Sequence, residues 1–128
     1  MQSNEKRVDK LDEYQTRAMS TKLDSCDNIT YMAFGLVAEV GEIADKIAKW
    51  RRKNEAYVTD DLLVFDTFHV YEAESKRASL MKELGDVLWF VAGIADHFDY
   101  SLSEVAEMNL EKLAERKSQG IIVTHEDH

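Results

Sequence analysis

Apolar residues recur along most of this chain at helical spacing. Leu36, Val40, Ile43, Ile47 and Trp50 fall at steps of four and three, and Leu80, Leu84, Val87, Val91, Ile94 and Phe98 keep the same rhythm. Each series is the stripe of an amphipathic helix. A shorter helix is predicted around Val8, Leu11, Tyr14 or Gln15, and Ala18. A fourth begins near Ser101, where Ser101 and Glu104 have the spacing of a capping box. Leu102, Val105, Met108 or Asn109, and Leu113 carry that helix to a stop near Gly120. Residues 53–72, KNEAYVTDDLLVFDTFHVYE, are rich in β-branched and aromatic residues and hold no sustained stripe. They predict an irregular or hairpin insertion between helices 2 and 3. Proline is absent and glycine scarce, so the usual punctuation of an all-β protein is missing. The expectation is an all-α fold of four helices in one domain, residues 1–128, ending in a tail at 121–128.

Composition narrows the function classes. The chain is 45% hydrophobic and 32% charged, which suits a globular protein rather than a disordered one. Its net charge of -9 argues against a nucleic-acid polymer as ligand, because such binding needs a broad basic surface. The one cysteine, Cys26, cannot form an internal disulfide, and no Cys/His metal spacing occurs. His69, His97, His125 and His128 share no ligand spacing either. No run is long and apolar enough for a leader or a membrane span, so the expected location is the cytoplasm, with no membrane partner.

One local pattern occurs twice. Residues 39–44 read EVGEIA and residues 83–88 read ELGDVL. Glu39 and Glu42 each precede a stripe position, and Glu83 and Asp86 do the same on the next helix. Acids three apart project from one face of a helix, so packing of the two stripes would gather four carboxylates at the edge of the seam. A single pair reads most simply as solvated surface, and Glu42 has Lys46 one turn later as an ordinary partner. Two pairs in matching register ask for a counter-ion, since four gathered acids repel one another. An all-oxygen set suits Mg2+ or Mn2+. Gly41 and Gly85 lie mid-helix, where glycine costs roughly 1 kcal/mol relative to alanine. Close approach of the two acidic helices would compensate, and a plain packing role fits equally.

With these residues in view, the chain resembles the MazG-like nucleoside triphosphate pyrophosphohydrolases of the all-α NTP pyrophosphatase superfamily. The phrases GLVAEVGEIADKIAKW and KELGDVLWFVAGIADHF carry most of the likeness, with DEYQTRAMST upstream and Asn109, Lys112 and Arg116 in EMNLEKLAERKSQG downstream. The resemblance implies a four-helix bundle-like MazG fold, Mg2+ dependence, and hydrolysis of a nucleoside triphosphate to monophosphate and pyrophosphate. It also implies a homodimer or homotetramer. Two features depart from the family's pattern: the long connection at 53–72, and the absence of an aromatic between Arg116 and Gly120.

The chemistry follows from charge. A triphosphate entering an acidic site requires metal ions to bridge carboxylates and phosphate oxygens. Glu39, Glu42, Glu83 and Asp86 are the expected metal ligands and catalytic carboxylates, one of them serving as base. Lys46 is a candidate phosphate contact, and the resemblance adds Asn109, Lys112 and Arg116. Arg51, Arg52 and Lys53 read as a cationic cap on the C-terminus of helix 2. For the base, Trp50 and Trp89 offer stacking surfaces and Gln15 an amide, although aromatics at helical spacing commonly serve as core. Two rival readings remain. One is a phosphoribosyl-ATP pyrophosphohydrolase-like enzyme of the same superfamily, and the other is a non-catalytic helical interaction protein.

Overall fold

A computed structural model describes residues 10–66 and 70–120. It contains four α-helices, α1 (Leu11–Met19), α2 (Ile29–Arg52), α3 (Val70–His97) and α4 (Leu102–Ser118). A two-stranded antiparallel hairpin, β1 (Ala56–Thr59) and β2 (Leu62–Phe65), stands between α2 and α3. The all-α class and the hairpin insertion are as expected. Helix α3 starts well before the stripe at Leu80, and Ala73 and Arg77 in its N-terminal part contact the hairpin. Val8, His69, His125, His128 and the tail at 121–128 lie outside the described residues. Contacts divide the chain into two compact units, Met1–Lys22 with Ala92–His128, and Leu23–Val91.

The first unit is organised by the start of α4. A helix leaves its first four amides without intrahelical acceptors. Here all four are satisfied. Ser101 N–H donates to Glu104 Oε1 (3.0 Å) and Glu104 N–H to Ser101 Oγ (3.1 Å), completing the predicted capping box. Leu102 N–H donates to Gln15 Oε1 (3.0 Å) and Ser103 N–H to Asp12 Oδ1 (2.9 Å), both acceptors being on α1. Gln15 is buried, and its Nε2 donates to the carbonyls of Ala92 (3.2 Å) and Tyr100 (3.1 Å).

In the second unit, Asn28 caps α2 by accepting from Tyr31 N–H at 2.7 Å. The helix ends in the basic run, with Asn54 at φ 59 turning the chain and Glu55 N–H donating back to Trp50 O at 2.8 Å. Asp60 and Asp61, both at positive φ, make the two-residue connection that suits the twist of a hairpin. Ala56 pairs with Phe65 across the strands, and both are buried with Ala73 of α3 against Trp50 and Leu63. The Trp50 and Phe65 rings meet edge-on at 5.4 Å, and Arg77 lies 5.8 Å over the same Phe65 ring.

The close approach of α2 and α3 occurs at Gly35. A Cβ there would run into the Phe90 ring, which is buried and packs against Tyr31 at 5.7 Å. Gly41 and Gly85 do not serve that purpose: a Cβ added at either meets nothing within 4 Å. The expectation that these two glycines let the acidic helices approach is therefore corrected. The stripe is corrected too. Val40 and Leu84 are exposed, while Met32 and Phe90 are buried, so the facing surfaces run through Met32, Gly35, Glu39 and Lys46 on α2, and Glu83 and Phe90 on α3. Both helices are apolar on more than one side, and spacing alone does not say which side meets the other helix.

Candidate metal and nucleotide site

The facing surfaces of α2 and α3 carry the acids rather than flanking them. Glu39 from α2 and Glu83 and Asp86 from α3 each bring a carboxylate oxygen within 4.8 Å of the other two. Glu83 and Asp86 lie three apart and so share a face of α3. Glu39 and Glu83 are half-buried and Asp86 is exposed, so the cluster opens to solvent on one side. Burial raises the pKa of Glu39 above the ordinary carboxylate value, and Asp86, a hydrogen bond with Glu83, and the charges of Glu83 and Glu42 push it the same way.

Glu42 stands outside this trio, exposed on the next turn of α2, where its charge still reaches Glu39 and Lys49. Lys46 does not pair with Glu42 along its own helix; its Nζ lies 3.7 Å from Glu83 Oε1 on α3. That cross-helix pair was not visible in the sequence, because the i,i+4 relation pointed to the nearer partner. Asp45 and Lys49 form the true i,i+4 pair at 2.8 Å, which lowers the pKa of Asp45 and raises that of Lys49.

Two candidates for base recognition have structural duties instead. Gln15 has both amide hydrogens and its oxygen engaged in holding the start of α4, so it has no spare donor to read a base. The signal was available, since Gln15 occupies a stripe position between Leu11 and Ala18, where a polar residue must find internal partners. Trp50 is packed into the hairpin core. Trp89 is half-buried, with its ring edge-on to Phe90 at 5.0 Å.

The remaining candidates are on α4. Asn109 is exposed and Lys112 half-buried, while Arg116 is buried at 6% exposure. The Nη1 of Arg116 has no hydrogen-bond partner among the described residues. Arg116 lies three residues after Leu113, again a stripe position. A guanidinium buried with an open donor calls for an acceptor, preferably anionic.

An all-helical chain with carboxylates from two helices converging on one point belongs to the class of bundle proteins that can hold a hard cation with oxygen ligands. The sequence profile of the MazG nucleotide pyrophosphohydrolase domain matches residues 28–121, which include all four acids. The chain belongs to the MazG nucleotide pyrophosphohydrolase family. It is 36% identical over 119 residues to the "Gene 37 protein" of Mycobacterium phage L5, an alignment covering 88% of this chain and 92% of that protein. No solved structure matches it significantly. Among the described residues, no helix is long and apolar enough to cross a membrane.

Proposed function

We propose that this chain, as a single domain, hydrolyses a (deoxy)nucleoside triphosphate to the monophosphate and pyrophosphate in a Mg2+-dependent reaction that Mn2+ also supports. Its role would be to clear unwanted nucleotides or adjust a dNTP pool in the cytoplasm, without a nucleic-acid polymer or a membrane as partner. The observation carrying this reading is the meeting of three carboxylates from two helices within 4.8 Å in a chain of this family.

Glu39, Glu83 and Asp86 fit a divalent cation, because their mutual repulsion is the property such an ion removes. Glu42 joins them from the rim. A bound cation offsets the phosphate charge and acidifies the attacking water. The chain's own groups do the rest. A carboxylate oxygen of the cluster takes the proton as the water oxygen bonds to the α-phosphorus. The anhydride bond to the β-phosphate breaks, and pyrophosphate leaves with the bonding electrons. Lys46, released from Glu83 once that carboxylate is otherwise satisfied, turns to a phosphate oxygen. Asn109, Lys112 and Arg116 bind further phosphate or sugar oxygens, a role supported for Arg116 by its unpartnered Nη1. Trp89 provides the stacking surface.

The test is incubation with Mg2+ and a panel of canonical and modified NTPs and dNTPs, separating nucleotide products and assaying pyrophosphate and phosphate, with Glu39→Gln in parallel. Monophosphate plus pyrophosphate, lost in the variant, is the expected result. Metal binding without turnover of any nucleotide would favour phosphoribosyl-ATP-type substrates. Absence of both would leave a non-catalytic helical interaction protein.

A further inference from the structure

Lys46 has a partner close by that it does not use. Glu42, exposed, stands four residues before it on α2, in the Glu-before-Lys order that favours an i,i+4 pair. The Nζ of Lys46 lies instead 3.7 Å from Glu83 Oε1 on α3. It thereby brings a positive charge to the point where three carboxylates lie within 4.8 Å of one another.

Two features make this pair exchangeable. At 3.7 Å the nitrogen is too far away for a hydrogen bond, so charge alone holds it, whereas the Asp45–Lys49 pair on the same helix closes to 2.8 Å. The side chains are also more enclosed, at 30% and 19% exposure against 53% and 49% for Lys49 and Asp45, so solvent screens them less. A loose contact in a partly enclosed place responds strongly to a second cation. A divalent ion held by the cluster would take Glu83 as a ligand and repel the ammonium beside it. The flexible four-carbon stem lets Lys46 swing away while the helix stays where it is.

We propose that Lys46 is a resident counter-ion of the carboxylate cluster, and that a divalent cation displaces it from Glu83 and so frees the ammonium for phosphate only once the metal has bound. This exchange rests on the cation reading given above and adds an order to it. In the metal-free protein the ammonium is engaged with Glu83, and the cluster repels a bare polyphosphate. The metal-loaded protein offers such a ligand both charges. Metal and phosphate binding are then coupled, each raising the affinity for the other.

Two measurements test the exchange, neither of them activity. In calorimetric titration with Mn2+, Lys46→Met should bind the ion about fivefold more tightly than the parent, the upper end of what such an ion pair contributes, because the competitor is gone. Lys49→Met should stay within about twofold, since its pair lies outside the cluster. In limited acetylation with peptide mapping by mass spectrometry, saturating Mn2+ should raise the labelling rate of Lys46 in the parent by about threefold and leave that of Lys49 unchanged. Glu83→Gln should label Lys46 at the fast rate with or without Mn2+. Circular dichroism verifies the fold of each variant. A parent that binds Mn2+ while Lys46 labels no faster, or a Lys46→Met variant that binds the ion no more tightly, would overturn the exchange and leave the metal site standing. A parent that binds no Mn2+ would overturn the cation reading itself, and the exchange with it.

Discussion

Two polar clusters in this protein are built from similar materials and end in opposite states. Around Gln15 every donor has an acceptor: two carbonyls receive its amide hydrogens, and its oxygen receives the Leu102 N–H. Around Glu39 three carboxylates meet, with Lys46 paired to Glu83 at 3.7 Å, and burial, followed by the neighbouring acids, raises the pKa of Glu39. The first cluster is complete and holds helices together. The second gathers like charges at a point that could hold a cation. A buried polar group therefore signals function not by being polar but by lacking its complement.

The contrast can be broken by exchanging neutral for charged groups. Glu39→Gln should lose on the order of 10³-fold in kcat/KM, about 4 kcal/mol of transition-state stabilisation, in a nucleotide hydrolysis assay, while the protein stays folded. Gln15→Leu should do the reverse. It leaves the buried Leu102 amide without its acceptor and the Ala92 and Tyr100 carbonyls without the Gln15 donor, at about 3 kcal/mol of stability by urea denaturation, with metal affinity of the folded protein unchanged. Calorimetric titration that found the metal site lost in folded Gln15→Leu would show that the two clusters are not independent.

Cation addition sharpens the difference further. Mg2+ or Mn2+ at a hundred times its dissociation constant should stabilise the parent by about 2.7 kcal/mol, read as a rise in Tm that Glu39→Gln diminishes. The smallest effect is that of pH. The pKa of Glu39 is raised in the folded state, so the native protein holds this proton more tightly than the unfolded chain. The resulting stabilisation is full below the ordinary value of 4.5 and disappears as pH rises through the raised value. Melting curves of the metal-free protein should show this decline, and Glu39→Gln should flatten it.

Much of this was legible beforehand. The capping box at Ser101 depends on two side chains three residues apart, so local sequence suffices to predict it. The repeated acidic pattern pointed to four converging carboxylates, of which Glu39, Glu83 and Asp86 meet while Glu42 stays outside. The orientation of α2 was not legible. Gly35 and Phe90 fix it through a single close contact, whereas the stripe through Val40 competes with other apolar sides of the same helix. Nor was the pairing of Lys46 with Glu83, since a long flexible side chain can choose between partners on its own helix and the next.

The turns hold one more consequence. Asn54, Asp60, Asp61 and Asp99 all adopt left-handed backbone conformations, positions where glycine would sit without strain. Three of these four residues also add to a net charge already at -9. A laboratory seeking a hardier protein therefore has an obvious place to begin: an Asn-Gly connection at positions 60 and 61 would relieve both strain and self-repulsion at the hairpin tip, leaving every residue discussed as catalytic untouched.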